Sequence, residues 1–224
     1  TDSTASSQQQ KLKGSYFDNF VSLSLDYDKR NQKFQTSQGF RNYFSTDLPI
    51  VSETNTLSST FITTNYYEYF NKYILKSSFY FKNSNSITGK NIKLSERLSL
   101  PSNRLRGFES GKIGPKDGND FIGGNYVASL NFSSDVPKLL ENSQTTDLII
   151  FLDIANVWGV DYDANVNDAS EIRSSTGIAL DYLSPIGPLN FSWAIPITKK
   201  SSDKTEYVLR PDYLSDFKLL KQYN

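Results

Sequence analysis

Arg104 to Asn125 reads RLRGFESGKIGPKDGNDFIGGN. The stretch separates two long alternating segments, and its composition is not that of filler. Arg106, Gly107 and Phe108 set a long cation, a permissive backbone and a large ring side by side. Gly111, Gly114-Pro115, Gly118 and Gly123-Gly124 follow in quick succession. Glycine admits positive φ and close backbone approach, while proline fixes φ and removes a donor. A hairpin needs only about two to five connecting residues. So long a connection, so densely punctuated, predicts a loop that takes a defined path and folds back into something, with Arg106 as its anchor. On these residues alone, an exposed loop arginine is the competing reading.

On either side of this loop the chain alternates. In Phe20–Asp28, Val21, Leu23, Leu25 and Tyr27 share one face, and Ser22, Ser24, Asp26 and Asp28 the other. Period two with so clean a split marks a strand with one apolar and one wet face. A polar cluster at 28–31 turns the chain, and a second strand is expected from Gly39 to Asp47. A third, Thr56–Phe70, carries Phe61, Thr63, Tyr67 and Tyr69 on one side, and Asn71-Lys72 turns it into Tyr73–Lys82. There Tyr73, Leu75, Phe79 and Phe81 oppose Lys76, Ser78 and Lys82. Lysines facing a dry core would be costly, whereas on the inside of a water-lined barrel they need no rescue.

The pattern resumes after the loop. Asn125–Phe132 sets Tyr126, Ala128, Leu130 and Phe132 against Asn125, Ser129 and Asn131. Asp147–Trp158 sets Leu148, Ile150, Leu152 and Ile154 against Asp147, Ile149, Phe151, Asp153 and Ala155. Ile172–Tyr182 sets Ile172, Ile178, Leu180 and Tyr182 against Arg173, Ser175, Gly177 and Asp181. Leu189–Ile197 sets Leu189, Phe191, Trp193 and Ile195 against Asn190, Ser192 and Ala194. This makes roughly eight strands, about nine if Thr205 onward adds one, each near the ~9–11 residues that span a bilayer when tilted. Connections at Asn71-Lys72 and Ser184–Pro188 are tight, and those at 84–122, 133–146 and 159–170 are long, the asymmetry of a membrane barrel. Pro185, Gly187 and Pro188 need be no more than turn chemistry.

Composition narrows the function. Lys+Arg and Asp+Glu balance at 24 each, which argues against nucleic acid as a partner. Cysteine and histidine are absent, removing disulfides, most zinc sites, cysteine nucleophiles and histidine bases together. No enzyme motif and no cofactor site is visible. Residues 161–167 resemble the start of a calcium loop, but Val166 stands where glycine is required and Ile172 where glutamate is, so no metal is expected. Asn131-Phe-Ser and Asn190-Phe-Ser match glycosylation acceptors but sit inside predicted strands. Aromatics make up 14% of the chain, suiting a barrel with interfacial girdles. Methionine is absent and nothing resembles a signal peptide, so a removed leader or a piece of a longer protein is expected.

Four ordered blocks resemble the C-terminal barrel of the BamA family, the outer membrane protein assembly factors or bacterial surface antigens. The first is Arg106-Gly107-Phe108 with Ile113-Gly114-Pro115 and Gly123-Gly124-Asn125, which resembles the family's sixth extracellular loop. The second is Phe151–Trp158, similar to an Asp-centred strand motif, and the third is Ile172–Leu180, containing Arg173 and Gly177. The fourth is Ser184–Leu189 with Phe191, Ser192 and Pro196. The resemblance runs from about residue 14 to Tyr207. It implies an all-β antiparallel transmembrane barrel, here partial and curved open, in the outer membrane of a Gram-negative bacterium. It implies a loop tucked inside, with Arg106 pairing an interior carboxylate. The parity of Asp153, opposite Leu148, Ile150 and Leu152, points that carboxylate inward; a strand-end acid at a wet rim is the alternative.

Asn131 stands where the family often has a second acid, so a neutral hydrogen bond and a looser hold are expected there. Gly123, Gly124, Asn125, Arg173 and Gly177 are the other supporting positions. No catalysis is implied. The implied partners are outer membrane lipids, unfolded outer membrane protein clients and assembly-complex lipoproteins. A two-partner secretion or autotransporter-assembly pore keeps the fold and changes the task; a soluble all-β adhesin or binding domain changes both. Two departures stand out. The family barrel has about 16 strands after periplasmic domains, so this chain reads as a fragment with about half of them. Residues 1–13 read as polar loop. Residues 208–224 read as a non-family tail, because Pro211 interrupts a ladder and Tyr213–Leu220 looks helical.

Overall fold

The structure is a computed structural model describing residues 17–33, 35–52, 54–70, 73–136, 146–161, 166, 171–184, 187–206 and 210–213. Its main body is one antiparallel sheet whose strands follow chain order, apart from a small hairpin inside the long loop. The strands are β1 (Asn19–Asp28), β2 (Gly39–Val51), β3 (Thr56–Tyr69), β4 (Tyr73–Ser86), β7 (Tyr126–Asp135), β8 (Thr146–Trp158), β9 (Arg173–Ser184), β10 (Gly187–Thr198) and a short β11 (Arg210–Tyr213). The hairpin is β5 (Lys116–Asp117) with β6 (Asp120–Phe121). All eight strands expected from alternation form, most of them longer than the periodic run. The added residues include polar ends such as Asn83–Ser86 and Ser133–Asp135, which ladder bonds recruit although side-chain parity does not mark them, and the Leu48–Val51 end of β2.

Register carries one face unbroken across the sheet. Leu25 lies opposite Phe44, Phe44 opposite Phe61 and Phe61 opposite Phe81. Beyond them Phe79 meets Leu130, Leu130 meets Ile154, Ile150 meets Ile178 and Ile178 meets Trp193. Leu23, Leu25, Phe44, Ile150, Ile178 and Trp193 on this face are solvent-accessible in the isolated chain. An apolar band of this kind belongs against lipid. At the end of the strands away from the long loop, the band carries the ring pairs Tyr27–Phe40 and Tyr69–Tyr73; at the loop end it carries the stacked pair Tyr126–Trp158. Rings at both rims suit two interfacial girdles.

Antiparallel alternation also sorts the connections. Ser86, Tyr126, Trp158 and Arg173 stand at one end of the sheet, and Asp28, Gly39, Tyr69, Tyr73, Asp135 and Thr146 at the other. The expectation that the 133–146 connection belongs with the long outer loops is therefore corrected: the strand ends that bound it, Asp135 and Thr146, stand at the same end as Tyr69 and Tyr73. The calcium-like stretch, the Asn71-Lys72 and 185–186 turns, and residues 1–13 lie wholly or largely outside the described residues. Of the tail, Arg210–Tyr213 pairs with Leu189–Ser192, so Pro211 sits in a strand after all. It does so at the sheet's edge, where a missing donor is tolerated.

The inner face is drier than alternation alone predicts. Leu98, Leu100, Leu105, Phe108 and Ile113 of the long loop pack on Tyr80, Val127, Ala155 and Val157 of the wall. Ile149, Phe151, Ala179 and Ala194 form a second buried cluster. Lys76 nevertheless stays exposed, so the wet part of the lumen lies toward the end away from the loop. The two faces make opposite predictions for substitution. Leu152→Arg should lower unfolding free energy in lipid vesicles by about 2–4 kcal/mol, and Lys76→Gln should change it by less than about 0.5 kcal/mol. Denaturant midpoints of the two variants check this.

Candidate functional site

The loop enters the lumen through a series of side-chain staples. Glu96 accepts hydrogen bonds from Thr54 and Thr56, each at 2.8 Å. Arg97 donates to Asn125 Oδ1 at 2.8 Å and to Asp161, whose other oxygen takes the Ile92 amide at 2.9 Å. Lys93 reaches Asp18, just ahead of β1, at 2.9 Å. Gly124 exchanges backbone hydrogen bonds with Leu98, at 2.8 and 2.9 Å, which closes the neck of the loop. Asn125 then donates its amide to the Gly159 carbonyl and accepts from the Ser84 amide, both at 2.8 Å. Gly123, Gly124 and Asn125 therefore stand where the loop rejoins the wall.

At the centre Arg106 meets Asp153. Nε donates to Oδ2 at 2.7 Å, Nη2 to Oδ1 at 2.8 Å, and the Arg106 backbone amide to Oδ2 at 3.1 Å. Asp153 has no exposed surface and the Arg106 side chain is 14% exposed. Two parallel N⁺–H···O⁻ bonds make the geometry specific as well as strong. Beneath the guanidinium lies the Phe151 ring, with Cζ 3.3 Å from its centroid. That stack places the cation over a π face and shields the fork from water.

Small wall residues make the approach possible. A Cβ on Gly177 would lie 2.0 Å from the Trp193 carbonyl oxygen and 2.9 Å from Phe151 Cζ, so the empty position is the slot for the ring that carries Arg106. Gly107 adopts φ +86° and its Cβ would sit 3.1 Å from Ala194 Cβ. That positive φ turns the chain immediately after the arginine and lets Phe108 enter the buried cluster.

Asn131 supports the fork from the wall: its Nδ2 donates to Asp153 Oδ1 and to the Arg104 carbonyl, both at 2.8 Å. Ser129 donates to its Oδ1 at 3.0 Å. The amide thus ties the loop backbone to the buried acid through neutral hydrogen bonds. A carboxylate at this position would lack the two donors. Arg173, named from its motif, lies outside this constellation and forms its own buried fork with Asp203 at 2.9 Å.

Sequence reasoning missed Arg97, Asp161, Glu96 and Asp203. Arg97 and Glu96 lie in an aperiodic stretch where no parity argument applies. Asp161 was considered only as a calcium ligand. Among the described residues no group of three or more histidines, cysteines or acids is placed to hold a metal.

Two substitutions test the arrangement. Gly177→Ala should cost about 1–3 kcal/mol of stability, because the added carbon meets backbone. Asn131→Asp should also destabilise the folded barrel at neutral pH, by exchanging two donors for a second negative charge at 2.8 Å from Asp153 Oδ1. The loss should shrink as pH falls through the range where that new carboxyl protonates. Unfolding titrations at two pH values read both effects.

Comparison with known proteins bears on the family and the fold. The Omp85 superfamily domain matches residues 1–210. The outer membrane protein assembly factor BamA of Neisseria meningitidis is 32% identical, over 46% of this chain and 16% of that one. A SAM50-like protein of Schizosaccharomyces pombe is 32% identical, over 53% of this chain and 26% of that one. The crystal structure of BamA from Haemophilus ducreyi lacking POTRA domains 1–3 superposes with a TM-score of 0.73 at 25% identity, covering 83% of this chain and 40% of that one. The chain therefore spans well under half the length of these relatives. With the alternating wall, the inward loop and the family match in agreement, the chain belongs to the Omp85 superfamily and is a barrel domain related to the BamA and SAM50 outer membrane assembly factors.

Proposed function

We propose that this barrel domain takes part in folding and inserting other β-barrel proteins into an outer membrane, with the Arg106 loop as an internal brace. The observation that carries the reading is the buried Arg106–Asp153 fork inside a wall whose outer face is apolar. A passive pore gains nothing from filling its lumen with a hydrophobically packed loop. An insertase needs a wall that stays rigid on one side while a seam opens on the other.

The mechanism is templating rather than chemical catalysis. Unpaired backbone N–H and C=O groups at an open strand edge are costly in lipid and recruit an incoming strand. Each added strand satisfies the last exposed edge and presents a new one. The brace keeps β4, β7, β8 and β9 fixed while that exchange proceeds. Unfolded outer membrane proteins are the clients, lipids the surroundings, and assembly-complex lipoproteins the accessory partners. A bacterial outer membrane is the location favoured by the bacterial relatives.

The test is Arg106→Ala in the full-length protein. It removes the cation from Asp153, which has no exposed surface in the intact fold, and the loss of one partner of such a pair costs about 3–5 kcal/mol. The loop should become protease-sensitive, and insertion of a model barrel client into vesicles should slow. An unaltered insertion rate with a demonstrably released loop would remove the brace from the mechanism.

A further inference from the structure

A second buried ion pair stands on the loop's other side. Arg173, at the head of β9, donates from Nε to Asp203 Oδ2 at 2.9 Å and from Nη2 to Oδ1 at 3.1 Å. Neither side chain has exposed surface. Arg173 Nη1 also donates to Asn156 Oδ1 at 2.6 Å and to the Glu171 carbonyl at 2.7 Å. Asp203 further accepts the Lys200 amide at 2.7 Å. A buried pair is a poor source of net stability, because desolvation offsets most of its attraction. Its strength is directional, so the question is what it holds in place.

It holds residues 199–206, the connection that leaves β10. This segment runs along the loop just beyond Arg106. The Glu206 amide donates to the Gly107 carbonyl at 3.0 Å, and the Glu109 amide to the Lys204 carbonyl at 3.0 Å. The Lys204 amide donates to the Lys112 carbonyl at 3.2 Å, and Phe108 and Thr205 form an antiparallel bridge. The same chain then continues toward β11, the last strand of the sheet.

We propose that residues 199–206 form a strap that clamps the loop from Gly107 to Lys112, that Arg173 and Asp203 are its positioning residues, and that the strap couples the loop to the terminal strand. The two forks then divide the work. Asp153 lies within β8, flanked by strands on both sides, and holds the loop's entry independently of the sheet's edge. Asp203 lies on the chain that leads into that edge. Displacement of β11 pulls on the strap and frees the loop beyond Gly107, while Arg106 stays forked to Asp153. The clamp stands on geometry alone; its use in strand exchange rests on the proposed insertion function.

Hydrogen exchange in the full-length protein, folded in lipid vesicles, separates these claims. Arg173→Gln and Asp203→Asn should each speed exchange of the Glu109, Lys204 and Glu206 amides by about tenfold or more, while the Arg106 amide, donated to Asp153, keeps its protection. Unchanged exchange at those three amides, or equal release of Arg106, overturns the clamp. Should either variant fail to fold, Glu206→Pro deletes the amide bonded to Gly107 from outside the buried pair, and the Glu109 and Lys204 amides give the same readout. The coupling has its own test. The chain contains no cysteine, and Phe191 lies opposite Pro211 across β10 and β11. A Phe191→Cys/Pro211→Cys disulfide pins the terminal strand and should slow exchange at the same three amides relative to the reduced form. Equal rates in both forms overturn the coupling and leave the clamp standing. A clamp seen by exchange without any effect of Arg173→Gln on client insertion overturns the strap's use in strand exchange and leaves the clamp standing.

Discussion

Burying a carboxylate with no exposed surface is costly unless it is paired and hydrogen-bonded, and Arg106 pairs Asp153 through a two-pronged fork. Much of the inner architecture follows from this requirement. The guanidinium must lie flat, so the Phe151 ring lies beneath it. The ring needs room, so position 177 has no side chain. The acid has acceptor capacity left after the fork, and Asn131 fills it while binding the loop backbone at Arg104. Each group is ordinary alone; together they leave one way for the loop to enter.

The wall divides its labour between faces and between strands. Outward residues form a continuous apolar band because antiparallel register sets like against like from β1 to β10. Inward residues vary along the sheet. Opposite the loop's hydrophobic side chains, β4, β7 and β8 present Tyr80, Val127, Ala155 and Val157. On β9 and β10, Gly177 leaves room for the Phe151 ring and Ala194 lies against Gly107 of the loop. A lumen filled in this way is closer to a packed core than to a channel, and it stiffens this part of the wall. The strap from β10 adds a second hold on the loop, tied to the edge of the sheet.

The strands and their faces were legible because period two survives any context: a strand with lipid on one side and protein on the other must alternate. Arg106 was legible as a cation in a glycine-rich loop and Asp153 by its parity, while their pairing came from the resemblance of both motifs to the BamA family. The route of Asn131 was not, because an amide can donate or accept and only coordinates show which neighbour it meets. The staples Thr54–Glu96, Thr56–Glu96 and Arg97–Asp161 were hidden for a related reason. Their partners are tens of residues apart in aperiodic stretches, where spacing carries no directional information.

Residue order by itself determined the all-β character, the outer apolar face, the inward direction of Asp153 and the presence of a structured loop. These rest on local rules: alternation, glycine and proline stereochemistry, and the cost of charge in an apolar setting. Only the tertiary structure decided that Arg173 meets Asp203 and Arg97 meets Asp161, that Phe151 and Gly177 together make the seat for Arg106, and that residues 199–206 lie along the loop. Those outcomes depend on how far the sheet curls and how deep the loop descends, and both are properties of the whole wall that no short window of sequence contains.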